Sequence, residues 1–146
     1  MGTAQASDYL ENLVIDHLFR TRTFAKPTAL YLALFTSAPS DSGGGTEVTG
    51  GSYARVNLAP LDTNWNATQG GTSGNSSGVT GQTANAVAIT YPAPTANWGT
   101  VTHFGIFDAA SGGNLLIWDA LVNSRTILSG DPAPSFPIGA LQVTVS

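Results

Sequence analysis

The sequence predicts a mainly β domain, an antiparallel β-sandwich of jelly-roll-like form with one N-terminal amphipathic helix. Apolar residues recur at helical spacing only near the start. After Lys26-Pro27, short apolar or alternating segments follow one another between clusters of Gly, Pro, Ser and Asn. A length of 146 residues suits one domain that buries its own core. The expected organisation is a single domain over 1–146, with the helix at about 8–20, the β-sandwich at about 28–146 and a long Gly/Ser-rich loop at about 63–85.

Leu10, Leu13, Val14, His17 and Leu18 share one helical face, while Glu11, Asn12 and Asp16 fall elsewhere. Ser7 is placed to cap this helix, with Asp8 and Glu11 in its first turn and Arg20 and Arg22 at its end, each sign matching the helix dipole. The strand at Ala29–Thr36 puts Leu30, Leu32 and Leu34 on one face and Tyr31, Ala33 and Phe35 on the other, so both faces need cover. In "SYARVNLA", Ser52–Ala59, Tyr53, Arg55 and Asn57 fall on the side expected to be wet.

No Asp, Glu, Lys or Arg occurs from Thr63 to Phe107, and Gln69–Ala84 is rich in Gly, Ser and Thr. A loop of that length in a compact domain is commonly functional or mobile. Trp65 and Trp98 flank it as "NWNA" and "NWGT", where they are expected to cap the edge of the core. A strand with Val87, Ile89 and Tyr91 on one face stops at Pro92. The hairpin "HFGIFDAASGGNLLIWDAL" folds about its Gly-Gly, and "RTIL" and "ALQVTVS" end the chain.

Charged residues are 10% of the chain and the net charge is −4. With no clustered basic face, nucleic acid is not an expected partner. The longest apolar run, Ala29–Phe35, is far short of a membrane span, and the start carries neither a secretory signal pattern nor, with Ala6 at the deciding position, a myristoylation pattern. Absence of cysteine removes disulfides, thiolate zinc sites and cysteine nucleophiles.

Catalytic patterns are equally sparse. His17 belongs to the helix face, His103 sits mid-strand, and no G-x-S-x-G elbow exists. Asp108 and Asp119 would face one another across the hairpin as a carboxylate pair for glycoside chemistry, although Asp beside a turn is more often a turn former. No spacing fits a metal site, and no catalytic, cofactor or metal residue is assigned.

What remains is apolar surface. Phe104, Ile106, Leu115, Ile117 and Trp118 of the hairpin, with Leu10 and Val14 of the helix, are candidate interface residues for a neighbouring subunit, another protein or a further copy of the chain. Trp65, Asn64 and Asn66 form a candidate surface-binding loop, an aromatic ring among amides of the kind that reads a glycan.

Three stretches, "DYLENLVIDHLF", "PTALYLALFTSAPSDSGGGTEVTGGSYARV" and "NWGTVTHFGIFDAASGGNLLIWDAL", occur in this order over nearly the whole chain. Together they resemble a family of small tailed-bacteriophage virion proteins, commonly labelled tail fibre proteins, with "LFT-x-x-P", "GG-x-YAR" and "WGTVTHF-x-x-FDAA-x-GGN" motifs. The resemblance implies a structural component of the virion, assembled in the host cytoplasm, without enzymatic activity or cofactor and with capsid or tail subunits as partners. The Gly/Ser segment 69–84 is additional to the family pattern, and the heptads or β-helix repeats of a long shaft are missing. On size, a capsid decoration or cement protein is the first expectation. A tail fibre or tail-tip subunit touching the host surface is the second, and a glycan-processing enzyme using Asp108 and Asp119 the remote third.

Overall fold

In the computed structural model, which describes residues 3–145, the chain starts with a two-residue strand β1 (Gln5–Ala6) and the helix α1 (Asp8–Phe19). Met1, Gly2 and Ser146, which belong to the expected 1–146 domain and to the myristoylation reading, lie outside the described residues. Ser7 caps the helix by accepting the Leu10 N–H at 3.2 Å, and its hydroxyl donates to the Leu115 carbonyl, so the cap also ties the helix to the sheet. The expected apolar stripe is covered only at its beginning. Leu10 and Leu13 are half-buried, but exposure reaches 40% at Val14, 65% at Leu18 and 77% at Phe19. His17 is exposed as well, its Nδ1 accepting the Phe24 N–H at 3.1 Å.

The strands that follow are β2 (Tyr31–Ser37), β3 (Thr46–Glu47), β4 (Val56–Asn57), β5 (Gln82–Ala84), β6 (Ile89–Thr90), β7 (Gly99–Phe107), β8 (Leu115–Ile127), β9 (Ser135–Phe136) and β10 (Gln142–Thr144). The main sheet runs β1-β8-β7-β2, and β3 and β4 share the outer edge of β2; β5-β10 and β6-β9 form two short ribbons. All pairings are antiparallel. The chain is thus mainly β with a helix near its N-terminus. The second layer is the pair of ribbons, because Pro92, Pro94, Pro132, Pro134 and Pro137 interrupt the ladder on that side. No helix among the described residues is long and apolar enough to cross a membrane.

Both faces of β2 are covered, as its sequence demands: Leu32, Ala33, Leu34 and Phe35 are all buried. On one face Leu32 pairs across to Ile106 and Leu34 to Phe104, and these four join Ile89, Tyr91, Leu141 and Val143 from the ribbon side in one core. On the other face the Phe35 and Phe107 rings stack with centroids 6.2 Å apart. Gly105 makes this possible, since a Cβ there would come within 2.9 Å of the Phe35 ring.

Tyr53 and Arg55, expected on a wet strand face, lie instead in a largely buried network, and the regular strand shrinks to Val56–Asn57. Arg55 is bidentate to Glu47, with Nε to Oε1 at 2.8 Å and Nη2 to Oε2 at 2.7 Å. Its Nη1 donates to the Ala109 and Gly112 carbonyls, and its guanidinium lies 3.7 Å from the Phe107 ring centre. The Tyr53 hydroxyl donates to Glu47 and accepts the Leu34 N–H. Alternation placed Arg55 correctly on the side opposite Val56; the sequence reading lacked the cover that Glu47 and the hairpin tip provide.

Arg55→Met should cost about 3 kcal/mol in urea unfolding, because it strands the Glu47 carboxylate and two hairpin carbonyls without their cation. Burial pushes the Tyr53 and Tyr91 phenols above the ordinary tyrosine range, with nearby Glu47 adding in the same direction. A raised folded-state pKa stabilises fully below the unfolded value of about 10 and ceases to do so as pH rises past it. Stability measured against pH should therefore fall above about pH 10, and Tyr53→Phe with Tyr91→Phe should flatten that fall.

Candidate binding groove

The β7–β8 hairpin builds the floor of a groove through a break in its register. Phe107 pairs with Leu115 and Ile106 with Ile117, so Leu116 is the extra residue of a bulge. Leu116 and Ile117 consequently both border the groove, beside Ile106 and Val143. The consecutive Leu115-Leu116, which breaks the alternation of a half-buried strand, was the sequence signal for this bulge. The walls come from Leu10 of α1, from Phe24 and Leu30 before and at the start of the first long strand, and from Leu61 and Trp65. The space enclosed is about 450 Å³.

The Gly/Ser-rich segment overhangs this groove through Thr72, Gly74, Asn75 and Ser76. The segment, expected as a long Gly/Ser-rich loop, is bonded to itself across its neck. Gln69 accepts the Ser77 N–H at 2.8 Å and donates to the Asn75 carbonyl at 3.0 Å. The Thr68 hydroxyl accepts the Gly78 N–H at 2.8 Å, and the Thr80 hydroxyl donates to the Thr68 carbonyl at 2.9 Å. Gly78 sits so close that a Cβ would lie 2.5 Å from the Thr68 carbonyl, so the neck closes only around a glycine. This is a compact surface loop held by its own side chains.

Asn85, fully buried, fastens the loop's far end. Its amide nitrogen donates to the Val87 and Pro137 carbonyls at 2.8 and 2.9 Å, and its carbonyl oxygen accepts the Leu141 N–H at 2.9 Å. A lone Asn between two alanines carries no pattern that would have announced this role.

The residues singled out from the sequence separate into groups. Leu10, Trp65, Asn66, Ile106 and Ile117 meet around the groove. Phe104, Ile106 and Leu115 are 0%, 4% and 7% exposed, packed largely within the chain's own fold. Trp118 is elsewhere, beside His103 at 6.1 Å and donating its Nε1–H to Asp41 at 3.1 Å. Val14 is exposed on α1 away from the groove lining. Asn64 spends its amide on the Ala59 carbonyl at 3.0 Å. Trp65 is half-buried against the core, and Trp98 is buried with its Nε1 donating to the Gly51 carbonyl at 2.9 Å. Both tryptophans cap the core edge as expected.

The carboxylate pair does not assemble. Asp119 stands opposite Phe104 inside β8, whereas Asp108 lies past the end of β7 and closes the hairpin turn, accepting the Asn114 N–H at 2.7 Å and its side-chain amide at 2.8 Å. Asp119 uses one oxygen on the Ala120 N–H, and its other oxygen is buried without a partner among the described residues. No group of three potential metal ligands gathers among the described residues. A second cavity of about 610 Å³ opens on the other side of the sheet, by Asp8, Asp41 and the 43–45 and 112–113 glycines; there Glu47 and Arg55 saturate one another.

A family model described as "Podophage GP4 fiber I protein gp80" matches residues 5–144. No curated protein matches the chain.

The indole N–H of Trp65 finds no acceptor among the described residues, whereas that of Trp98 is bonded. Trp98→Phe should therefore lower unfolding stability by about 1 kcal/mol more than Trp65→Phe, since only the former leaves a carbonyl unpaired. Equal losses in chemical denaturation would contradict this assignment.

Proposed function

The chain belongs to the Podophage GP4 fiber I protein gp80 family of phage fibre proteins, and from that premise we propose that it is a non-enzymatic subunit of a bacteriophage tail fibre. The observation that carries the reading is the extent of the match. Residues 5–144 run from β1 to β10, so the likeness embraces the whole fold and not one hairpin. As a phage structural protein it is virion-associated and works against other virion components.

A capsid decoration protein, the first expectation on size, is the less supported of the two readings, because the family is described by a fibre and not by a head. The chain has no repeat able to lengthen a shaft. Its place is then a compact module at an end of the fibre, where it joins the tail or meets the host surface. Separation of Asp108 from Asp119 removes the geometry on which the glycan-processing alternative relied.

Gold-conjugated antibody against the purified chain, applied to intact virions and viewed by electron microscopy, should label tail appendages. Label spread over the head lattice would overturn the fibre assignment and restore the decoration reading.

A further inference from the structure

We propose that the exposed end of α1 seats in the groove of a second copy of this chain. Ile15, Leu18 and Phe19 are 50%, 65% and 77% exposed and close together on the last turns of α1, an apolar knob with nothing of its own domain over it. The groove bordered by Leu30, Leu61, Trp65, Ile117 and Val143 is the complementary hollow. A cavity of about 150 Å³ accommodates a benzene ring. The groove's 450 Å³ thus takes side chains of Leu and Phe size but not a further helix.

The knob cannot reach the groove of its own chain. Leu10, in the first turn, already borders the groove, and Phe19 is nine residues further along a helix that rises 1.5 Å per residue, about 14 Å away. A second copy offers both surfaces, so each copy gives one knob and receives one. Polar groups at the two rims agree with this pairing. Arg20 and Arg22 share the single Asp16 carboxylate beside the knob, leaving cationic charge in excess there. On the groove rim the Asp62 carboxylate makes no ion pair among the described residues and can take an Arg of that excess, while the Lys26 ammonium on the same rim keeps its charge and donates to the Pro60 carbonyl. A contact of three side chains in one groove is small beside the ~1,200 Å² of a stable interface, so closure, in which every knob and groove is filled, is what makes it persist.

Sedimentation equilibrium of the full chain tests this on purified protein, separately from any location in the virion. The wild type should associate below about 100 µM. Phe19→Glu and Leu61→Glu alter exposed side chains on the two opposing surfaces and should each weaken association about tenfold or more while leaving the far-ultraviolet circular dichroism unchanged. Mixing the two variants leaves one intact knob and one intact groove and should recover hetero-association. A wild type that stays monomeric over this range, an association indifferent to either variant, or a mixture that fails to pair would overturn the proposal.

Discussion

The Arg55–Glu47 pair over the Phe107 ring is the constraint on which the rest of the sheet depends. Its guanidinium grips a strand edge through Glu47 and the hairpin tip through the Ala109 and Gly112 carbonyls. Tyr53 extends the chain of bonds inward to the Leu34 amide, in the middle of the most buried strand. A buried guanidinium is tolerable only when its donors are matched, and here four bonds and an aromatic face match them. Both links come from the one short stretch "YAR": Tyr53 supplies the inner link and Arg55 the outer one.

That arrangement lets one sheet be apolar on both sides in a chain of this size. The core face is closed by two ribbons in place of a full second sheet. The opposite face is closed by the Phe35–Phe107 stack, with Gly105 making room and Arg55 as its lid. The hairpin whose apolar richness first suggested an interface is thereby mostly consumed at home. What it contributes outward is the bulge at Leu116, which turns two consecutive side chains toward the groove.

Much of this was legible in the sequence, and the boundary between what was and was not has physical causes. Helix capping by Ser7, the two-faced strand at Leu32–Phe35, the Gly-Gly turn and the turn-forming Asp108 are local, and local patterns state them. The Tyr53–Glu47–Arg55 network, the pinning of the β9–β10 connection to the β5–β6 connection by Asn85 and the meeting of Leu10 with Trp65 bring together residues that periodicity cannot pair. The Gly/Ser segment is a loop, as its composition states, but the pairs that shape it, such as Thr68–Gly78 and Gln69–Ser77, carry no compositional signature. The helix forms where its pattern placed it, but an apolar stripe does not say how far along it the domain extends, and its second half is left uncovered.

The bonds that shape the Gly/Ser loop have a property of their own. They run between hydroxyls, carboxamides and backbone groups, in a stretch from Thr63 to Phe107 without a single formal charge, and the chain contains no thiol. Ionic strength screens charges, protons titrate them and reductants act on sulfur, but none of these has a handle on a neutral hydrogen-bonded neck. Salt, pH and redox potential therefore have no direct hold on the bonds that shape the overhang. What shapes the loop is thus set by the geometry of neutral groups alone, not by the balance of charges that holds the Arg55–Glu47 corner of the same domain.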